Sequence, residues 1–296
     1  MNTVAPLLDD PGMFLEIDDL EIATLALVDS VQAGPHRSPI RGAGLEFDRH
    51  RDYQRGDDLR LINWRLYSRS RRLYLKQYRI ETNMPVRIAV DASASMRTGG
   101  RQSKYRYAAR AAAAMAWLAS RGGDAFGLGL MDQSLSPWLP PRTGRVQFEN
   151  CLSVLEQPQT SDQPGDLLTS LDELCETCRS RGVVLLFSDF IEDPQQLTRR
   201  LSQLRQQGQD VRAVQILAPD EAILPTSGDF HLTDPESGQF RKTSLELVHA
   251  DYNAAIDRWR SELDTESTAA GIRWLSITTA FPLAETVRSM AGALNG

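Results

Sequence analysis

Pro85-Val-Arg-Ile-Ala-Val-Asp-Ala-Ser-Ala-Ser-Met96 is the stretch on which the fold turns. Val86 to Val90 is a short apolar run rich in β-branched residues, the pattern of a buried strand. It stops at Asp91, and Ser93 and Ser95 follow at alternate positions. One loop at the carboxyl end of a strand therefore carries a carboxylate and two hydroxyls. Ligands of open α/β sheets bind at that edge. Hard cations such as Mg2+ take oxygen donors of this kind while keeping several waters. Residues 103–121 follow, Ala-rich and strongly helix-favouring. The expectation is a cup for a divalent cation built on Asp91, Ser93 and Ser95, in a binding module rather than an enzyme.

Downstream, strand and helix patterns alternate. Strands are expected at 125–131, 135–139, 183–188 and 211–217, with Pro140-Pro141 ending the second. Helices are expected at 144–156, 166–180 and 194–207. That order predicts an α/β fold, a doubly wound and mostly parallel sheet with helices on both faces. Residues 226–248 are polar and short of apolar runs, which reads as a hairpin excursion. A helix at 249–269, a strand at 273–277 and a helix at 283–293 close the domain.

Upstream, a helix from Asp18 or Asp19 to about Gln32 carries Leu20, Ala23, Leu27 and Val31 along one side. Gly34-Pro35 stops it. Residues 41–64 then mix Gly, Arg, Asp and aromatics with no clean period, and 73–80 alternates as a strand would. The expected organisation is residues 1–82 as a helix plus basic segment, and 83–296 as the sheet domain.

The chain of 296 residues has a net charge of −6, which does not point to nucleic acid. The charge is unevenly placed. Arg37 to Glu81 holds 12 basic and 6 acidic residues, against 21 basic and 33 acidic in the remainder. Three cysteines, Cys151, Cys175 and Cys178, argue against a disulfide framework and fit a reducing cytosol. No basic n-region opens the sequence and no apolar run reaches the ~18 residues of a membrane span, so a cytoplasmic location is expected.

Two blocks together carry a family resemblance. Asp91-Ala-Ser-Ala-Ser95 resembles the Asp-x-Ser-x-Ser motif of von Willebrand factor A-type domains. Gly42, Gly44, Arg51, Tyr53, Gly56-Asp57-Asp58, Arg60 and Ile62-Asn63-Trp64 resemble the signature of the bacterial domain-of-unknown-function-58 family. Ser188-Asp189 and Leu217-Ala-Pro-Asp-Glu-Ala-Ile-Leu-Pro225 are similar to further family stretches. The resemblance runs from about residue 18 to 290 and implies a von Willebrand factor A-like fold. It also implies a partner, because members tend to be encoded beside MoxR-type AAA+ ATPases and other von Willebrand A-type proteins.

The adhesion-type motif of such domains arranges a metal ion with five side chains. Asp91, Ser93 and Ser95 match the first loop and Asp189 matches the third. Gly165 stands where the second loop usually has Thr, so that contact could come only from backbone or water. Bound Mg2+ would keep an open position for a partner's carboxylate. The plainer reading is that Asp91 and Ser93 hydrogen-bond their own loop and cap the next helix.

Two other functions use other residues or other chemistry. A metal-dependent hydrolase would use the Asp91 loop, but Ser93 stands where a second Asp would act as general acid or base. A single-strand nucleic-acid binder would use the 41–79 block, where Arg residues interleave with aromatics. The acidic residues of that block favour a scaffold or protein contact instead, with Arg51, Tyr53, Asp57, Asp58, Arg60 and Trp64 as candidate partner-binding residues. Cys175 and Cys178 read as small residues on a packed helix face.

Overall fold

The structure, a computed structural model, describes residues 19–33, 46–52, 66, 72, 74–79, 84–97, 103–157, 165–223, 229–233 and 240–291. The chain divides into two compact units, residues 41–83 in one and the remainder in the other.

The larger unit is built on a six-stranded sheet. In chain order its strands are β3 (Val86–Asp91), β4 (Phe126–Met131), β5 (Leu135–Arg142), β6 (Gly182–Ser188), β7 (Gln209–Leu217) and β10 (Arg273–Thr278). They lie side by side as β10-β7-β6-β3-β4-β5, all parallel except the β4–β5 pair at one edge. This is the doubly wound, mostly parallel sheet expected from the alternation of strand and helix patterns. β3 is central and buried along its whole length, as its unbroken apolar run requires. Val86, Ile88 and Val90 join one core cluster and Ala89 the other, so successive side chains serve opposite faces.

On the first face lies α3 (Lys104–Gly122), preceded by the four-residue α2 (Ala94–Arg97). The Ser103 hydroxyl caps α3 by accepting the Arg106 N–H at 3.2 Å, and Gly123 closes it at φ 78°. Its run of alanines carries no bulk, so neighbours approach closely. α1 (Leu20–Ala33) packs there with Leu20, Ala23, Leu27 and Val31 buried, as do α4 (Arg145–Glu156) and α9 (Leu283–Ala291). α1 is therefore part of the same unit as the sheet and not, as the sequence grouping of 1–82 had it, part of the unit that holds residues 41–83. The apolar stripe of α1 docks on α3, which places that helix with the sheet. On the second face α5 (Leu167–Thr177), α6 (Pro194–Gln206) and α8 (Leu245–Ala269) bury Leu171, Leu174, Leu197, Leu201 and Leu263. Each such leucine contributes about 1.5–3 kcal/mol. Cys175 and Cys178 lie buried among them as free thiols, and burial pushes the Cys175 thiol up to about 11.

Three local expectations are revised. β5 does not end before Pro140-Pro141 but runs through both to Arg142. It is an edge strand, where a residue lacking an N–H breaks no ladder on the open side. α5 ends at Thr177 rather than 180. α8 begins at Leu245, directly after the hairpin of β8 (Asp229–Thr233) and β9 (Phe240–Ser244). A short helix, α7 (Pro219–Ala222), follows β7.

In the smaller unit β1 (Glu46–Asp52) pairs antiparallel with β2 (Tyr74–Arg79), Arg51 opposite Leu75, with a register shift between Phe47 and Arg49. β2 falls where the alternation predicts a strand. β1 is too polar to show as one. Tyr53, Asp57, Asp58, Arg60 and Trp64 lie outside the described residues. Among the described residues no helix is long and apolar enough to cross a membrane.

Candidate functional site

β3 and β6 are adjacent and parallel, with Val90 opposite Phe187. The residues just past that register, Asp91 and Ser188-Asp189, therefore leave the same edge of the sheet side by side. Asp91 is 4% exposed and Asp189 3%. The first loop folds back on its own carboxylate, because Asp91 Oδ1 accepts the Ser93 N–H at 2.9 Å. Its other oxygen, Oδ2, accepts the Ser188 hydroxyl at 2.5 Å. The Ser93 and Ser95 hydroxyl oxygens are 3.1 Å apart, and the Ser95 hydroxyl donates to Asp189 Oδ2 at 2.8 Å. All four residues expected to hold a cation are thus brought into one hydrogen-bonded group.

Two buried carboxylates linked through Ser93 and Ser95 repel each other. Burial is the main reason the Asp91 carboxyl is pushed up to about 7 from 3.8, and the charge of Asp189 adds to it. The hydrogen bonds from Ser188 and Ser93 oppose the rise without cancelling it.

Lys104 and Glu221 complete the group. Lys104 Nζ lies 2.8 Å from Asp189 Oδ2, and 2.7 and 2.9 Å from the two oxygens of Glu221. The Lys104 side chain is 1% exposed, that of Glu221 33%. Burial alone would lower the ammonium's pKa, but pairing with Asp189 and Glu221 outweighs it and raises it above the ordinary lysine value. Glu221 Oε2 also accepts the Ala218 N–H at 2.8 Å, which fixes the carboxylate on α7. Lys104 carries no motif and is absent from the expected site residues. One signal could have marked it: a cation in the first turn of a long helix opposes the helix dipole and needs another reason to be there. Glu221 sits in the 217–225 stretch that carries part of the family resemblance.

The second loop approaches from the β4 side. The Asp166 N–H donates to the Asp132 carbonyl at 2.7 Å, and Asp166 caps α5. Gly165 packs against the first loop so closely that a Cβ there would lie 2.9 Å from Ser93 Cβ. A side chain at position 165 would therefore have no room unless the first loop shifted. Thr169, one turn into α5, gives its hydroxyl to Asp166. Gly165→Thr is expected to lower the melting temperature, by overpacking of about 1–3 kcal/mol, and not to tighten Mn2+ binding. Thermal melts and a Mn2+ titration check both, and tighter binding would show that the threonine oxygen can reach the cup.

The third loop bends sharply. Phe190, directly after Asp189, has φ 51°, a conformation a bulky residue rarely adopts. It is held there from three sides. Its N–H donates to Ser188 Oγ at 2.9 Å, its carbonyl accepts the Glu192 N–H at 2.7 Å, and its buried ring packs 5.0 Å from that of Trp274. The bend keeps Asp189 turned to the cup instead of continuing along the strand.

Above these residues lies a cavity of about 280 Å³ lined by Asp91, Ser93, Ser95, Asp132, Gly165, Leu167, Asp189, Ile191, Glu192 and Glu221. Five of the ten are carboxylates, and the rim residue Ile191 is 60% exposed. Oxygen donors in a desolvated, acidic cavity fit a hard divalent cation in chemistry. Among the described residues, no group of three or more His, Cys, Asp and Glu side chains is placed to hold a metal ion.

A family model described as Protein of unknown function DUF58 matches residues 49–262. An uncharacterized protein of Mycobacterium tuberculosis is 31% identical over 294 residues, covering 98% of this chain and 92% of that protein. A Mycobacterium bovis protein, also uncharacterized, matches with the same figures. Among solved structures, the conserved hypothetical protein BatB from Bacteroides thetaiotaomicron aligns with a TM-score of 0.48 at 14% identity, covering 72% of this chain and 98% of its own. The VWA domain of SpRpn10 aligns with a TM-score of 0.41 at 13% identity, covering 70% and 94%.

Proposed function

We propose that this chain, which belongs to the family of proteins of unknown function DUF58, is a protein-interaction module whose acidic cup takes up a divalent cation and meets a partner's carboxylate there. One observation carries the reading. Residues 91–95 and 189, from loops about a hundred positions apart, converge through the Ser95–Asp189 hydrogen bond on a single cavity at the carboxyl edge of the sheet. Asp91, Ser93, Ser95 and Asp189 would hold the ion, Mg2+ or a similar one. When bound, the ion supplies a coordination position that an outside Asp or Glu can complete.

The residues around the cup support this role. Ser93 and Ser95 offer oxygens without adding charge, so the ion's charge is only partly neutralised. Gly165 keeps the second loop tight against the first. Ile191, exposed beside the acidic cavity, offers a partner apolar contact next to the charge. The partner proposed is a MoxR-type AAA+ ATPase, with or without other von Willebrand A-type proteins. That choice follows from the family resemblance, while the carboxylate chemistry follows from the site.

The test is binding between the purified chain and a MoxR-type ATPase from the same organism, measured by calorimetry in Mg2+ and in EDTA. Binding is expected to weaken at least about tenfold in EDTA, a loss of about 1.4 kcal/mol, and Asp91→Ala is expected to reproduce that loss in Mg2+. Equal binding in both buffers would overturn the cation's role, and no binding in either would overturn the partner.

A further inference from the structure

We infer that Lys104 is a tethered competitor for the cation: its ammonium occupies Asp189 Oδ2, the oxygen that also meets Ser95, and uptake of the ion moves the ammonium off Asp189 while it keeps Glu221. The inference rests on the reading of the cup as a cation site and says what sets its affinity.

The argument is a count of lone pairs. Asp189 Oδ2 accepts two hydrogen bonds, from Ser95 Oγ at 2.8 Å and from Lys104 Nζ at 2.8 Å. A carboxylate oxygen has two lone pairs, so Oδ2 is saturated while the lysine stays. Asp91 differs, since its described partners, the Ser93 N–H and hydroxyl and the Ser188 hydroxyl, are neutral and bring no competing charge. The first loop therefore faces an ion without a rival cation, whereas the third loop offers only Oδ1, which accepts the Ile191 N–H at 3.5 Å, until Lys104 withdraws from Oδ2.

Lys104 has somewhere to go. Its three donors meet three oxygens, one on Asp189 and two on Glu221 at 2.7 and 2.9 Å. On leaving Asp189 the ammonium keeps Glu221, whose side chain is 33% exposed and lines the same cavity. The withdrawal thus leaves the charge paired and gives it access to water, so the lysine need not be stranded in the core. The competitor also sets selectivity. A monovalent ion replaces one unit charge with another and gains little, whereas a divalent ion brings an extra charge to the Asp91–Asp189 pair.

The test uses the full chain and Mn2+ or Mg2+ alone. Mn2+ affinity is read by electron paramagnetic resonance for the unsubstituted protein, Lys104→Gln, Lys104→Met and Lys104→Arg. The two neutral variants should bind at least about tenfold more tightly, while Lys104→Arg, which keeps the charge, should stay near the unsubstituted value. A merely structural lysine would give the reverse order, with the neutral variants weakened. A second measurement needs no variant. In the 15N-labelled unsubstituted protein, the Lys104 ammonium resonance should shift with Mg2+ and saturate with the same affinity. If the unsubstituted protein takes up the ion and the neutral variants bind no tighter, the competitor role falls and the cation site stands. If no form takes up either ion at millimolar concentration, both fall.

Discussion

Asp91→Asn, melted at pH 8 in EDTA, is expected to unfold about 6–12 °C above the unsubstituted protein. The cause is the burial of a charge. Asp91 is 4% exposed, and burial first and the charge of Asp189 second push its carboxyl up to about 7 in the folded protein from 3.8. Ionising it there costs on the order of 4 kcal/mol more than in the unfolded chain. A folded-state value raised for an acid means that stability is fully present below pH ~4 and is lost as pH rises through about 7. The asparagine amide carries no charge to desolvate. Its oxygen can keep the Ser93 N–H, and its NH2 can donate to Ser188 Oγ, at a cost of about 1 kcal/mol for rearranged hydrogen bonds. The net gain, about 3 kcal/mol, corresponds to roughly 2–4 °C for each kcal/mol. The gap should close towards pH 4 and should narrow in saturating Mg2+, which would favour the ionised carboxylate. Cation uptake should be lost in the variant. An asparagine variant that melts below the unsubstituted protein at pH 8 would show that the charge of Asp91 is already compensated.

Phe190→Ala should lower the melting temperature by about 10 °C, and Phe190→Gly should be no worse. Removing a fully buried phenylalanine costs about 3–5 kcal/mol. Here it also removes the ring that packs on Trp274 and steadies the third loop. The order of the two variants is the informative part. In most positions glycine is the more damaging replacement, because it loses more freedom on folding. At φ 51° alanine keeps the steric cost of the left-handed region, about 1 kcal/mol or more, and glycine does not. Thermal melts of the two proteins decide it. Glycine clearly below alanine would mean that the bend relaxes when the ring is removed, and that the loop is not held at Phe190. Either variant should also weaken cation uptake, because Asp189 is the residue just before the bend.

Much of this molecule is readable from local sequence. The β3 run ending at Asp91, the alanine-rich α3 with its Ser103 cap, and the alternation that dictates a doubly wound sheet all depend on residues within a few positions of one another. β1 was not legible, because Glu46-Phe-Asp-Arg-His-Arg-Asp52 has neither an apolar run nor a clean alternation. The extension of β5 through Pro140-Pro141 was hidden for a different reason: proline ends an inner strand but not an edge strand, and an edge is a property of the assembled sheet. Asp189 entered only through the family resemblance, since nothing in its neighbours ties it to Asp91.

Neighbouring residues in the chain therefore settle which segments become strands and helices, and place a carboxylate and two hydroxyls on one loop. What they leave open is the company that loop keeps. Lys104 meets Asp189 across 85 positions and Glu221 across 117. Those meetings follow from the parallel registers of β3 with β6 and of β6 with β7, and from the docking of α3 on the sheet. Hydrophobic burial fixes that arrangement over the whole domain, without regard to the charges it brings together at the edge. The ionic balance of the cup is a consequence of packing and becomes visible only once the layers are assembled.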